Sequence, residues 1–192
     1  MIELMQQPYP KAYQAIVDAT KESGFTMASD LLTCTLLRSL AASKRAGSFL
    51  ELGTGTGLAT SWILDGMDKK STLVSIDNDA AVLDIARKYL RADDRLELVL
   101  TDGEAWIHDN SHLKFDYIFA DTWHGKYLML EEALGMLKPT GIYIIDDMLP
   151  QPNWPEGHNE KAIQLVAILE QRHDLWVTTL NWATGIVIAV KK

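Results

Sequence analysis

Short apolar runs alternate along this chain with longer stretches in which apolar positions recur at helical spacing. Residues 49–52, 72–76, 96–100, 117–120 and 142–145 read as buried strands. Between and after them, 57–64, 80–91, 104–108 and 126–137 carry the wider period of helices, the last expected to stop at Lys138-Pro139-Thr140-Gly141. Two more helices are expected upstream, over 8–22 and 28–44, parted by Ser23-Gly24-Phe25. Strands alternating with helices predict parallel pairing, right-handed crossovers and helices on both faces, an α/β fold. The C-terminus breaks this rhythm. After a helix near 160–171, the β-rich runs 176–180 and 186–190 flank Asn181-Trp182-Ala183-Thr184-Gly185, which predicts an antiparallel hairpin.

Composition narrows the class. With 192 residues, 47% of them hydrophobic, the chain is expected to form one domain over 1–192, with 1–46 packing on it as N-terminal helices. No apolar run approaches the roughly 18 residues of a membrane span, and the N-terminal MIELMQQPYPK lacks a signal-peptide pattern, so the expected compartment is the cytoplasm. A net charge of −8 and a pI near 5.0 argue against a nucleic-acid partner, which needs a basic face. The single cysteine, Cys34, has no partner for an internal disulfide and reads as a buried thiol.

The densest chemical signal is Glu51-Leu52-Gly53-Thr54-Gly55-Thr56-Gly57, a strand end running into a helix start. Glycines there let the backbone approach a ligand, and free N–H groups at the helix start suit an anionic group. The dinucleotide pattern G-x-G-x-x-G fails in both registers, because its third glycine would fall on Leu58 or Thr60. Strand ends supply four further acidic positions, Asp77, Asp102, Asp121 and the pair Asp146-Asp147. Ligands of open α/β sheets bind at that edge, and an acid ending the second strand suits a ribose. Alternatives at these positions are structural: Asp77 capping the helix that opens at Asp79-Ala80, Asp102 capping the one at Glu104, and polar strand ends at Asp146-Asp147.

The E-x-G-x-G-x-G turn resembles motif I of the class I S-adenosylmethionine (SAM) methyltransferases. Together with Asp121-Thr-Trp-His-Gly-Lys-Tyr127 and Ile145-Asp146-Asp147, it resembles the cation-dependent O-methyltransferases related to catechol O-methyltransferase. The resemblance implies a Rossmann-like, seven-stranded, mostly parallel sheet closed by an antiparallel hairpin. It places Glu51, Gly53, Gly55 and Gly57 at the methionine end of SAM and Asp77 at the ribose, with Asn78 beside the adenosine. It places Asp102, Gly103 and Trp123 at the adenine, with Asp121 at the cofactor edge. Asp121, Asp146 and Asp147 would hold a divalent cation, magnesium first. The family's lysine is His124 here, which would accept the proton or orient the oxygen, with Asp121 beside it; Lys126 is the alternative cation, two positions out of register. The family's asparagine is Asp147. The loop Met148–His158 reads as a wall, with Trp154 and His158 as substrate contacts. Relatives often pair through their N-terminal helices, which implies a homodimer.

The expected activity is SAM-dependent methylation of a hydroxyl on a small molecule. Three rivals stay open: metal-independent N- or C-methylation, a NAD-dependent oxidoreductase, and a SAM-binding protein without catalysis. Loss of the family's lysine and asparagine favours the first, and the failed dinucleotide pattern and the hairpin ending count against the second.

Overall fold

The computed structural model describes residues 8–151 and 154–192. Part of the N-terminal stretch read above, and Pro152 and Asn153 of the loop after the fifth strand, lie outside the described residues. Seven strands form one sheet: β1 (Ser48–Leu52), β2 (Thr72–Asp77), β3 (Leu96–Leu100), β4 (Phe115–Ala120), β5 (Leu137–Ile145), β6 (Leu175–Leu180) and β7 (Ile186–Lys191). Their order is β3-β2-β1-β4-β5-β7-β6. The pairs β1–β2, β1–β4, β2–β3 and β4–β5 are parallel, whereas β7 runs antiparallel to both β5 and β6. The chain reverses direction of travel across the sheet between β1 and β4, which is the switch point where such sheets open a crevice.

Seven helices cover it: α1 (Tyr13–Ser23), α2 (Leu31–Ala42), α3 (Leu58–Gly66), α4 (Ala80–Leu90), α5 (Gly103–Asn110), α6 (Leu130–Gly135) and α7 (His158–Glu170). The central strands are apolar on both faces. Along β1, Phe49 joins a core layer with Trp62 of α3 and Leu37 of α2, while Leu50 and Leu52 join the opposite layer with Ile107 of α5 and Leu165 of α7. In β4 the same alternation sends Tyr117 and Phe119 to the first layer and Ile118 and Ala120 to the second. Two-sided burial is why these strands read as unbroken apolar runs. Cys34 lies in the first layer, fully buried, and burial pushes its thiol pKa well up, as an inert thiol requires. No helix among the described residues is long and apolar enough to cross a membrane.

The helix expected over 126–137 is much shorter. Gly125 and Met129 take positive φ (85° and 56°), and the N–H groups of Lys126, Tyr127 and Leu128 all point to the Trp123 carbonyl. Residues 123–129 are therefore a tight turn, and only Leu130–Gly135 remains helical. Lys138-Pro139-Thr140-Gly141, expected as a stop, is instead an irregularity within β5, whose pairing to β4 jumps from Phe115–Leu137 to Tyr117–Ile142. Trp176 stands 68% exposed on β6 with the Lys192 amine over its ring.

Candidate active site

The carboxyl ends of β1, β2, β4 and β5 meet along one edge of the sheet. From β1 the chain turns through Gly53, Gly55 and Gly57 at φ of 100°, 52° and 87°, values that glycine alone adopts freely. A Cβ at Gly53 would stand 3.0 Å from the Asp121 carbonyl oxygen, and one at Gly57 would stand 2.9 Å from the Ala86 and Leu90 side chains. The glycines thus serve the close approach of β4 and α4 as well as the turn itself.

Asp77 ends β2 and takes the Gly55 N–H on one carboxylate oxygen at 2.7 Å and the Asp79 N–H on the other at 2.9 Å. The cap of α4 is Asp79, which accepts from Ala81 and Val82, so Asp77 braces the glycine turn instead. Glu51 lies beneath that turn, fully buried. Its Oε2 accepts from Thr60 and Ser75, both at 2.5 Å, and its Oε1 has no partner. Burial raises its pKa to about 7 despite those two hydroxyls. Glu51 does not line the cavity, so its part in a cofactor site is to hold the turn from below.

A cavity of about 610 Å³ opens in front of these residues. One side carries the glycine turn with Asp77 and Asn78, and the other carries Asp121, Asp146, Asp147, Trp154 and His158. Residues 25–30, linking α1 to α2, run along its mouth. A smaller cleft of about 40 Å³ branches off between Asp77, Asn78, Thr101, Gly103 and His124. Asp102 is not in either. Its carboxylate caps α5 by accepting from Glu104 and Ala105 at 2.9 and 3.1 Å, which corrects its expected place at the adenine.

Trp123 and His124 fall on opposite sides from those expected. His124 packs against Gly103, whose Cβ would lie 2.8 Å from the imidazole, and it lines the small cleft away from Asp146. Trp123 turns instead toward the far wall. There its ring meets Tyr127 and His158 edge-on at 5.7 and 5.8 Å, with the Lys161 amine 4.3 Å over its face. Trp154 stacks on His158 at 4.1 Å, and Tyr127 shares a 3.1 Å hydrogen bond with His158 Nε2. His158 Nδ1 is buried without a partner. Burial, and secondarily the Lys126 charge, lowers the imidazole pKa, which favours the neutral ring.

The acids of β4 and β5 occupy the cavity floor. Asp121 accepts from Ser29 Oγ at 3.0 Å, and Asp146 Oδ1 accepts from Thr184 Oγ1 at 2.6 Å and from the Asp147 N–H at 2.8 Å. Burial first, and then repulsion, from Asp146 and Asp147 on Asp121 and from Asp147 on Asp146, drives the Asp121 and Asp146 pKa values upward. Lys126, 4% exposed, lies among them and donates to the Asp146 carbonyl oxygen at 2.6 Å. Neither Ser29 nor Thr184 stood out in the sequence, since each is an ordinary hydroxyl in a loop. The oxygen donors suit a hard cation chemically. The arrangement does not: Asp121 Oδ2 and Asp146 Oδ1 are turned to protein donors, a lysine amine enters the cluster, and among the described residues no three His, Cys, Asp or Glu side chains are grouped to hold a metal.

A parallel sheet with a glycine turn after its first strand, an acid ending its second and a C-terminal antiparallel hairpin defines a nucleotide-cofactor enzyme of the α/β class. A family model described as a methyltransferase domain matches residues 50–148, more than half of the sequence, and the chain belongs to that family. Among characterised relatives, O-methyltransferase hkm8 of Aspergillus hancockii is 27% identical over 156 residues, 75% of this chain and 61% of that protein. The chain therefore spans about three fifths of that relative's length. The O-methyltransferase from Bacillus cereus in complex with S-adenosylhomocysteine (SAH) superposes with a TM-score of 0.85 at 18% identity, covering 98% of this chain and 94% of that one. The O-methyltransferase TomG from Streptomyces achromogenes, in complex with SAM, gives 0.81 at 18% identity, covering 99% and 92%. At such identities these structures establish the shared fold.

Proposed function

We propose that the protein transfers a methyl group from SAM to a hydroxyl oxygen of a small molecule. The observation that carries this reading is the single cavity with two unlike ends. The glycine turn and Asp77 form the cofactor end, and an aromatic wall with a neutral imidazole forms the acceptor end. When bound, SAM supplies a methyl group made electrophilic by its sulfonium. Gly53, Gly55 and Gly57 admit the methionine end, with Glu51 fixing the turn from below. Asp77, whose two carboxylate oxygens each accept one backbone N–H, offers their remaining lone pairs to the ribose hydroxyls, Asn78 stands beside the adenosine, and Gly103 with His124 borders the adenine. Trp123, Trp154 and His158 hold the acceptor. A hydroxyl acceptor would lose its proton to solvent as it takes the methyl group, and His158, whose neutral ring lines the acceptor end, takes the positioning role expected of His124. Asp121 sits at the junction between the two ends. Positioning and fixed charge do most of such a reaction's work.

The hkm8 relative supports oxygen as the acceptor atom. The divalent cation implied by the catechol-type resemblance has no place in this reading, because the acid cluster does not fit one as arranged. We also read the protein as cytoplasmic, indifferent to nucleic acid because of its charge of −8, and paired as a homodimer through its N-terminal helices. Light scattering tests the pairing. Calorimetry tests the cofactor: SAH should bind and NAD should not. Asp77→Ala should weaken SAH by about tenfold to a hundredfold, the range for losing a charged hydrogen-bond partner. Unchanged SAH affinity in that variant would remove Asp77 from the site.

A further inference from the structure

We propose that Lys126 is a built-in cation that stands in for a divalent metal at the acceptor end of the cavity, so that this site works without a metal ion. The proposal rests on the reading that the acceptor oxygen enters beside Asp121 and Asp146. A lysine two positions out of register gains this place through the local turn. Gly125 takes φ 85°, its N–H bonds the Leu128 carbonyl at 2.7 Å, and the Lys126 N–H bonds the Trp123 carbonyl at 3.1 Å. That turn places the side chain inside the protein, where it lines the cavity at 4% exposure.

Once inside, its amine is held by the Asp146 carbonyl at 2.6 Å. An ammonium group has three N–H bonds, and this contact uses one. The others are free to meet an oxygen in the cavity. The neighbouring acids are arranged to match. Thr184 and the Asp147 backbone turn Asp146 Oδ1 to protein donors, and Ser29 does the same for Asp121. A doubly charged ion would stand beside a positive charge of its own sign, which a low-dielectric site penalises strongly. Lys126 supplies attraction toward oxygen as negative charge builds on it. It is a positioning and electrostatic residue and takes no proton in this scheme.

The test is manganese binding by the full-length protein after exhaustive chelation, read by electron paramagnetic resonance, with SAH calorimetry on the same samples. Wild type should bind Mn²⁺ no more tightly than about 1 mM, the weak end of oxygen-ligand sites. Lys126→Met should tighten Mn²⁺ by at least about tenfold, since it removes the competing charge. Lys126→Arg should behave as wild type, and adding Asp146→Asn to Lys126→Met should abolish the gain. Wild type that takes up one Mn²⁺ per chain at micromolar affinity, and loses it on Asp146→Asn, would overturn the assignment. So would a Lys126→Met variant that still binds SAH but gains no affinity for Mn²⁺. The wild-type measurement decides even if Lys126→Met fails to fold. Failure of wild type to bind SAH would count against the methyltransferase reading alone.

Discussion

Glu51 carries a carboxyl group where the fold gives it no water and two hydroxyls in its place. Burial lifts its pKa from 4.5 to about 7, and the sign of the consequence follows. Below pH about 4.5 the group is protonated in both folded and unfolded chains, and no penalty arises. Between 4.5 and 7 the unfolded chain releases a proton that the folded chain keeps, so stability falls as pH rises, and above 7 the loss is complete, on the order of 3 kcal/mol. Glu51→Gln should therefore unfold at higher denaturant than wild type at pH 8, with the advantage shrinking toward pH 4.5. Equal destabilisation at both pH values would mean that the carboxyl is charged and fully supported in the fold. At this scale the sequence was informative where a residue ends a strand. Asp77, Asp121 and Asp146 stand where strand ends place them. It was uninformative where a turn chooses the side: Trp123 and His124 are neighbours in sequence, and positive φ at Gly125 fixes a turn in which they face opposite walls.

Elements meet closely at Gly57, the left-handed residue that starts α3 against α4. Adding one methyl there forces φ of 87° on an alanine and drives its Cβ to 2.9 Å from Ala86 and Leu90. The two costs, a left-handed residue and an overpacked core, sum to about 2–4 kcal/mol. For a domain of this size Gly57→Ala should lower Tm by roughly 4–16 °C. A variant melting within about a degree of wild type would show that α4 yields without cost. The same local forces explain which elements could be read in advance. β1 and β2 differ by one residue at an end from the predicted runs, because apolar runs in a two-sided core announce themselves, while the edge strand β3, with no fully buried residue, still runs over 96–100 as predicted. The helix predicted over 126–137 lost half its length to backbone geometry at Gly125 and Met129. Its side-chain pattern still looked helical because Tyr127, Leu130, Ala133 and Leu134 pack on one core layer anyway.

Across the whole molecule, the cavity is bordered by parts far apart in sequence, and hydrogen bonds tie those parts together. Thr20 of α1 donates to Thr56 of the glycine turn at 2.8 Å, Ser29 to Asp121, Trp182 of the hairpin loop to the Leu32 carbonyl at 2.9 Å, and Thr184 to Asp146. The segment between the N-terminal helices, the ends of the central strands and the C-terminal hairpin therefore all border the space where a cofactor and an acceptor would sit. A ligand in that space touches groups that only the folded chain brings together, so its binding energy adds to global stability. At a hundredfold excess over its Kd, SAH should stabilise the protein by about 2.7 kcal/mol, which for this size raises Tm by roughly 5–11 °C. NAD at the same concentration should leave Tm where it is. Ser29→Ala removes a tie between the mouth segment and the cavity floor, so it should lower the melting temperature slightly with or without SAH. Melting curves of wild type and Ser29→Ala, each with no ligand, SAH or NAD, carry the comparison. A rise with NAD equal to that with SAH would mean that the glycine turn accepts any adenine nucleotide, and the methyltransferase assignment of the cavity would have to be given up.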